Sequence, residues 1–482
     1  MKIKRELLNK YFLDIVILAL ILIFSIFIIF NNLGLSDVHE WDESRHAVNA
    51  MEMIDSGDWI VMKYAGVPDY YNLKPPLANW FIGISFLIFG VSEFSLRFFS
   101  AFFGVATIIL VYFFGKSLRN RYVGVIASLL LLTNKYFIGV HGARTGDCDS
   151  ILVFFITCSL FVFYKFHNSD FKKVEYLYLF SVFVSFAVLT KSVIGFIPIL
   201  VCFCFLIITK NFKNILIKET IYSIVLFFII TAPWFILRLI REKGFLYKMI
   251  MVDVINRGID PIQSEPRYFN YYFQFFLKTM IPLFVTLFII GIIYYLIRKE
   301  KINNEIKFLL SWIIVVFLLF SFSKGKLIWY LNPIYPAVSL FLSYFFVDLK
   351  KYFKIKDILF IAIVILFFIF PIINIIHHNE TRINELEIKI LKDNQNIFND
   401  IDKLYIYSGD RGHNGDSRQR LFFYLSLYTP GDVFKINDLT SNEINSGDYL
   451  ITFDLNRGRY LNNLTEYELI KKEYNLGLFR RV

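Results

Sequence analysis

Uninterrupted apolar runs decide what this chain can fold into. Residues 15–30 and 358–370 contain no charged side chain, and a helix of that length with modest flanking help crosses the roughly 30 Å hydrocarbon core of a bilayer. Such runs recur along most of the 482 residues, of which 56% are hydrophobic and only 19% charged. A soluble chain of this length would divide into about three domains joined by polar linkers. No such linker occurs before residue 377. Disorder, a collagen-like chain and a disulfide-stapled secreted domain are excluded, and the chain reads as a polytopic membrane protein. A basic head precedes the first run and no small-residue cleavage site follows it, so that run reads as a retained span rather than a cleaved signal peptide.

The net charge of +11 invites a nucleic-acid reading until its location is considered. Lysine and arginine collect in short loops, among them Lys2, Lys4, Arg5 and Lys10, then Lys116, Arg119 and Arg121, then Lys350, Lys351, Lys354 and Lys356. These loops alternate with acidic or mixed ones, as the positive-inside rule requires. The charge is therefore topological, and nucleic acid is not a partner. Placing the N-terminus in the cytoplasm gives spans near residues 11–30, 97–115, 122–140, 150–166, 176–190, 193–209, 220–238, 271–297, 307–322, 327–347 and 358–376. The expectation is an all-α polytopic domain of about eleven transmembrane helices, in the range of roughly eleven to thirteen. Residues 77–91 are apolar but short, and letting them cross would reverse the Lys/Arg bias of every later loop. They are laid in the outer interface instead.

This topology predicts a membrane domain over residues 1–376, with an acidic extracytoplasmic first loop at 31–96. An extracytoplasmic α/β domain follows at 377–482, with strands at 403–408, 432–436, 449–453 and 467–474 and a helix at 419–428. The four cysteines, Cys148, Cys158, Cys202 and Cys204, match no redox or zinc spacing and read as small buried hydrophobes.

The unusual polar residues fall on the outer side. Asp42, Glu43 and Arg45 follow the first span, where such charges near lipid point to function; the bland alternative is an acidic helix start. Tyr71 and Lys74 precede Pro75-Pro76, which fix the local backbone. Arg144, Asp147 and Asp149 form a third group. Asp-x-Asp offers hard oxygens to a divalent cation or to sugar hydroxyls, although two acids alone do not fill a coordination shell. No other cofactor signature stands in the chain. Lys191, Arg257, Lys324, Lys326 and Tyr330 complete the set. Cations at an outer surface depart from the positive-inside trend, and they suit a held anion such as a lipid phosphate; the alternative for any one of them is snorkelling.

The order Asp42-Glu43-x-Arg45, Lys74-Pro75-Pro76-Leu77, Phe89-Gly90-Val91-x-Glu93-Phe94-x-x-Arg97, Asp147/Asp149, Thr190-Lys191, Pro233-Trp234 and Ser323-Lys324-Gly325-Lys326-x-x-x-Tyr330-x-x-Pro333-x-x-Pro336 resembles the GT-C membrane glycosyltransferases. The likeness is to their aminoarabinose transferase and protein O-mannosyltransferase-like group, and it covers about residues 10–350. It implies an inner-membrane enzyme that moves a sugar from a polyprenyl-phosphate donor to lipid A, another envelope glycan or a protein, with inversion at the anomeric carbon. It further implies Asp42 as general base with Glu43 beside it, and Arg45, Tyr71, Lys74, Arg257 and Tyr330 on the donor phosphate, with Lys191 and Lys324 in reserve. His46 stands where the family usually has tyrosine, residues 253–257 lack a Glu-His pair, and Leu73 replaces a common glutamate. These departures favour the superfamily over aminoarabinose itself and count against a zinc site. A protein O-mannosyltransferase-like enzyme remains the second reading. A lipid transporter or flippase is third, disfavoured because the ionisable residues gather at one surface and no inverted repeat is visible.

Overall fold

The computed structural model describes residues 2–139, 141–256, 268–279, 282–298, 302–380, 386–407, 419–436, 444–452, 466–474 and 476–482. They form two compact units, each discontinuous in sequence: Met1–Asn31, Leu73–Ala78 and Arg97–Glu380 in one, and Asn32–Asn72, Asn79–Leu96 and Thr381–Val482 in the other.

The first unit is helical. Among the described residues of the chain, eight helices are long and apolar enough to cross a membrane: Phe12–Phe30, Glu93–Leu118, Asp149–His167, Glu175–Ile208, Lys218–Arg241, Asn304–Phe322, Ile328–Tyr352 and Asp357–Ile375. Leu77–Phe89, Arg121–Leu132 and Thr286–Ile297 are shorter apolar helices. The chain is a multi-span membrane protein. Four of the expected spans take the following forms. The run at 122–140 stops as a helix at Leu132, and Asn134 restarts it as one turn, Lys135–Ile138, by accepting the N–H groups of Tyr136 and Phe137. Within the run at 271–297 the described residues form the helices Tyr271–Thr279 and Pro282–Ile297. The runs at 176–190 and 193–209 are helices Glu175–Lys191 and Ile197–Ile208, joined by the 3-10 turn Ser192–Phe196.

Packing in this unit relies on aromatic rings. Phe114, Tyr164, Phe308 and Trp312 pack with ring centroids 5.6–6.3 Å apart, a range in which ring quadrupoles add to area burial. Asp14, in the first span, takes Lys116 Nζ and Arg121 Nε at 2.7 Å each, the pairing that a carboxylate at membrane depth requires.

The second unit is α/β. The first loop supplies the helix Asp42–Ser56 and a hairpin of β1 (Lys63–Tyr64) and β2 (Val67–Pro68). The C-terminal segment supplies β3 (Lys403–Tyr407), β4 (Asp432–Ile436), β5 (Tyr449–Thr452), β6 (Tyr467–Glu473) and β7 (Leu476–Arg481), in sheet order β4-β3-β5-β7-β6. The β3 pairings are parallel and those of β7 antiparallel. Strands and helix lie where alternation places them; β7 is the strand that the pattern alone does not separate from its neighbour. Helix Gln419–Tyr428 buries Phe422, Phe423 and Leu425 in one core with Ala47, Val48, Ile82, Phe86, Leu404, Ile451 and Leu478. Polar ties reinforce it: the Val38 N–H donates to Tyr424 Oη at 3.1 Å, Tyr424 donates to Glu93 at 2.8 Å, and Lys392 Nζ reaches Asp37 and Glu93 at 2.9 and 2.7 Å. Residues of the first loop thus share a core with the C-terminal segment, a grouping that a boundary drawn at residue 377 does not carry.

Candidate active site

In the second unit Asp42 opens a helix. Trp41 precedes it at φ 73°, in the left-handed region that an indole-bearing residue adopts only when its surroundings impose it. The turn is held by Ser44 Oγ donating to the Trp41 carbonyl at 3.1 Å and by Glu43 Oε2 accepting the His39 N–H at 2.8 Å. Asp42 is half-buried and Glu43 fully buried, so the first carboxylate meets solvent while the second braces the turn.

One helical turn on, Arg45 makes a bidentate pair with Asp69, Nε to Oδ2 and Nη2 to Oδ1 at 2.7 Å each. Its guanidinium lies between two rings, 4.6 Å from the Tyr64 centroid and 4.5 Å from that of Tyr71. Asp69 also accepts the N–H groups of Tyr71 and Asn72 at 2.8 and 3.1 Å and the Asn49 amide at 3.0 Å. Asn72 donates to Asn49 at 2.9 Å, and His46 Nδ1 meets Asn79 Oδ1 at 2.7 Å. Asp69 is therefore the residue that fixes both Arg45 and the backbone of Tyr71. The spacing Asp69-x-Tyr71 is an Asx-turn signal that could have revealed it.

Burial alone would raise the Asp69 pKa, but the hydrogen bonds and charge of Arg45, with Asn49 and the Asn72 N–H, hold it below the ordinary carboxylate value. A depressed carboxylate stabilises the fold above its unfolded pKa of about 3.9 and loses that contribution as pH falls through the folded value. Asp69→Asn is expected to cost about 1–3 kcal/mol, measured as thermal unfolding in detergent. The gap from wild type should stay constant from pH 5 to 8 and narrow only below about pH 4. A gap that closes between pH 5 and 7 contradicts the assignment.

In the first unit, Asp149 opens the helix Asp149–His167 and pairs with Lys191 Nζ at 2.7 Å, both side chains being nearly inaccessible. Lys191 ends its helix, and Ser192 turns the chain at φ 48°. Gly195 lets that turn lie against the preceding helix: a Cβ there would stand 2.3 Å from the Val188 nitrogen. Lys191 Nζ lies 5.6 Å from the Tyr330 ring. Asp147 pairs instead with His141 Nδ1 at 2.7 Å, and the His141 ring stacks on Trp329 at 3.7 Å. Asn332 donates to the His141 carbonyl at 2.7 Å and Ser100 to that of Asp147 at 2.8 Å. Gly104 lets this segment approach, since a Cβ would come 2.4 Å from that of Ala143.

Asp147, Asp149, Lys191 and Tyr330 are thus brought together, with His141 and Trp329 added. Neither addition was legible, because the two lie far apart in sequence and a lone histidine carries no motif. Lys74 is buried, and its charge acts on Cys148, whose thiol burial pushes up to about 12, leaving it protonated at neutral pH and inert. Arg144 is engaged elsewhere, where its Nη1 donates to the carbonyls of Ile28, Ile29 and Asn31 at 2.7–3.2 Å and closes the end of the first span. Burial, helped by the Arg97 charge, lowers its pKa to about 10. Lys324 is exposed, and Arg257 lies outside the described residues. As a cation site the Asp147/Asp149 pair fits poorly, since each carboxylate already has its own nitrogen partner.

The fold matches that of ArnT from Cupriavidus metallidurans bound to undecaprenyl phosphate, with a TM-score of 0.72 at 16% identity over 96% of this chain and 98% of that one. The chain has the GT-C fold. Residues 15–247 match the family described as dolichyl-phosphate-mannose-protein mannosyltransferase. An uncharacterized protein of Aquifex aeolicus is 31% identical over 342 residues, 70% of this chain and 65% of that protein. The Yersinia pestis undecaprenyl phosphate-alpha-4-amino-4-deoxy-L-arabinose arabinosyl transferase is 29% identical over 313 residues, 64% and 55% of the two chains. These alignments span less than two thirds of either relative's length. In sequence as in fold, this GT-C chain resembles the aminoarabinose transferases.

Proposed function

We propose that this protein is an integral-membrane glycosyltransferase that moves a sugar from a polyprenyl-phosphate donor to an envelope lipid or glycan. The observation that carries the reading is where the motif residues fall. In a GT-C fold they form two polar clusters, buried Arg45 beside exposed Tyr71 and organised by Asp69, and buried Asp149 paired with Lys191 beside Tyr330. Asp42 takes the proton from the acceptor hydroxyl, and the acceptor oxygen attacks the anomeric carbon with inversion. The polyprenyl phosphate departs with the bonding electrons, its charge held by Lys74 and Tyr330. Arg257 belongs to the same set by motif, and Lys191 and Lys324 stand behind it. Arg45, already neutralised by Asp69, holds Tyr71 rather than acting as a bare cation. Glu43 braces the turn that presents Asp42. Asp147 and Asp149 face the sugar or acceptor hydroxyls, and Arg144 anchors their segment. The basic loops put the N-terminus in the cytoplasm and Asp42 outside, in the inner membrane.

The test is release of polyprenyl phosphate by purified protein given undecaprenyl-phosphate-linked aminoarabinose or hexoses, with lipid A or a Ser/Thr peptide as acceptor, read by mass spectrometry. Transfer to lipid A is expected. The mannosyltransferase family match supports a second reading, which transfer to the peptide alone would favour. No release from any donor would sink both.

A further inference from the structure

The first unit carries a second polar feature at the other end of its helices. Between the start of helix Arg121–Leu132 and the end of helix Tyr335–Tyr352 lies an open cleft of about 500 Å³, lined by Arg119, Tyr122, Lys350, Lys351 and Lys354. It is one helix length, about 25 Å, from Tyr330 and independent of the sugar-transfer reading.

Two of its four cations are balanced locally. Arg119 pairs with Asp348 at 2.7 Å, and Lys350 pairs with Asp357 and lies 4.9 Å from the Tyr122 ring. Lys351 and Lys354 are exposed, and among the described residues they have no ion-pair partner. Lys354 also sits at φ 52°, where the N–H groups of Lys354 and Ile355 close the helix on the carbonyls of Lys351 and Lys350. Such a closure favours glycine, and a lysine stands there. Helix C-termini and the positive-inside rule account for the sign of this end, but neither calls for a cleft. Next to the lining lysines in sequence stand exposed apolar side chains: Tyr352, Phe353, Ile358 and Leu359 are 53–85% exposed. Cations flanked by exposed apolar residues suit an amphiphile, with its phosphate in the cleft and its chains against the neighbouring apolar surface.

We propose that this cleft binds the phosphate of an anionic phospholipid through Lys351 and Lys354. The probe is phosphatidylglycerol retained by the purified full-length protein, read by native mass spectrometry against phosphatidylcholine and soluble glycerol 3-phosphate. The Lys351→Gln/Lys354→Gln variant is expected to lose about 10- to 30-fold in phosphatidylglycerol retention, with unfolding in phosphatidylcholine unchanged. Lys172→Gln/Lys173→Gln, in another exposed basic loop, should retain the lipid normally. Equal retention of both lipids overturns the proposal. So does an equal loss in the control variant, which would reduce the effect to general surface charge, and so does glycerol 3-phosphate binding as tightly as the lipid, which would make the ligand a soluble phosphate.

Discussion

Asp42→Asn is expected to lower turnover by about 10²–10⁴-fold, the usual contribution of a positioned general base. The amide keeps the size and the first-turn position of the side chain but cannot accept the acceptor's proton. The surrounding turn should persist, because Ser44 and Glu43 hold it by their own hydrogen bonds. Donor affinity should therefore be unchanged while the single-turnover rate falls, a split that simple unfolding would not produce. Glu43→Gln makes the contrast: its buried oxygen still accepts the His39 N–H, so only a modest loss is expected. Near-normal turnover in Asp42→Asn would remove the proposed base.

Lys191→Met should destabilise the protein by about 3–5 kcal/mol, the cost of leaving the Asp149 carboxylate buried without its cation. The side chains of Lys191 and Asp149 are only 11% and 3% exposed, so water cannot replace the lost partner. Adding Asp149→Asn removes the orphaned charge, and the double variant should recover most of the stability, since replacing both members of a buried pair is often close to neutral. It should not recover sugar transfer. Thermal unfolding of both single variants and the double variant closes the cycle, and purely additive losses would show that the pair is not coupled.

The sequence carried the membrane class, the sheet strands and the motif order, because each depends on local composition or short spacing. Alternation placed β3 to β6 within a residue or so of their ends. The contacts that organise the site depend on residues far apart. His141 on Trp329 and Lys191 on Asp149 join separate loops, and no periodicity links them. Breaks inside apolar runs were hidden for a related reason. Asn134 reads as a tolerable polar residue within a hydrophobic stretch, and only the backbone geometry shows that the helix stops. A cation beside Asp-x-Asp suggests a ligand, whereas the hydrogen bonds of Arg144 go to the carbonyls that end the first helix, partners far away in sequence.

The core that supports Asp42 has a bearing on how the protein is made. Val38 and Tyr424 are 386 residues apart, and Leu478 in the last strand packs in the same core as Val48. The half that bears Asp42 cannot close until the strand Leu476–Arg481 has been made. A product that stops before that strand can insert its helices without assembling the core behind Asp42.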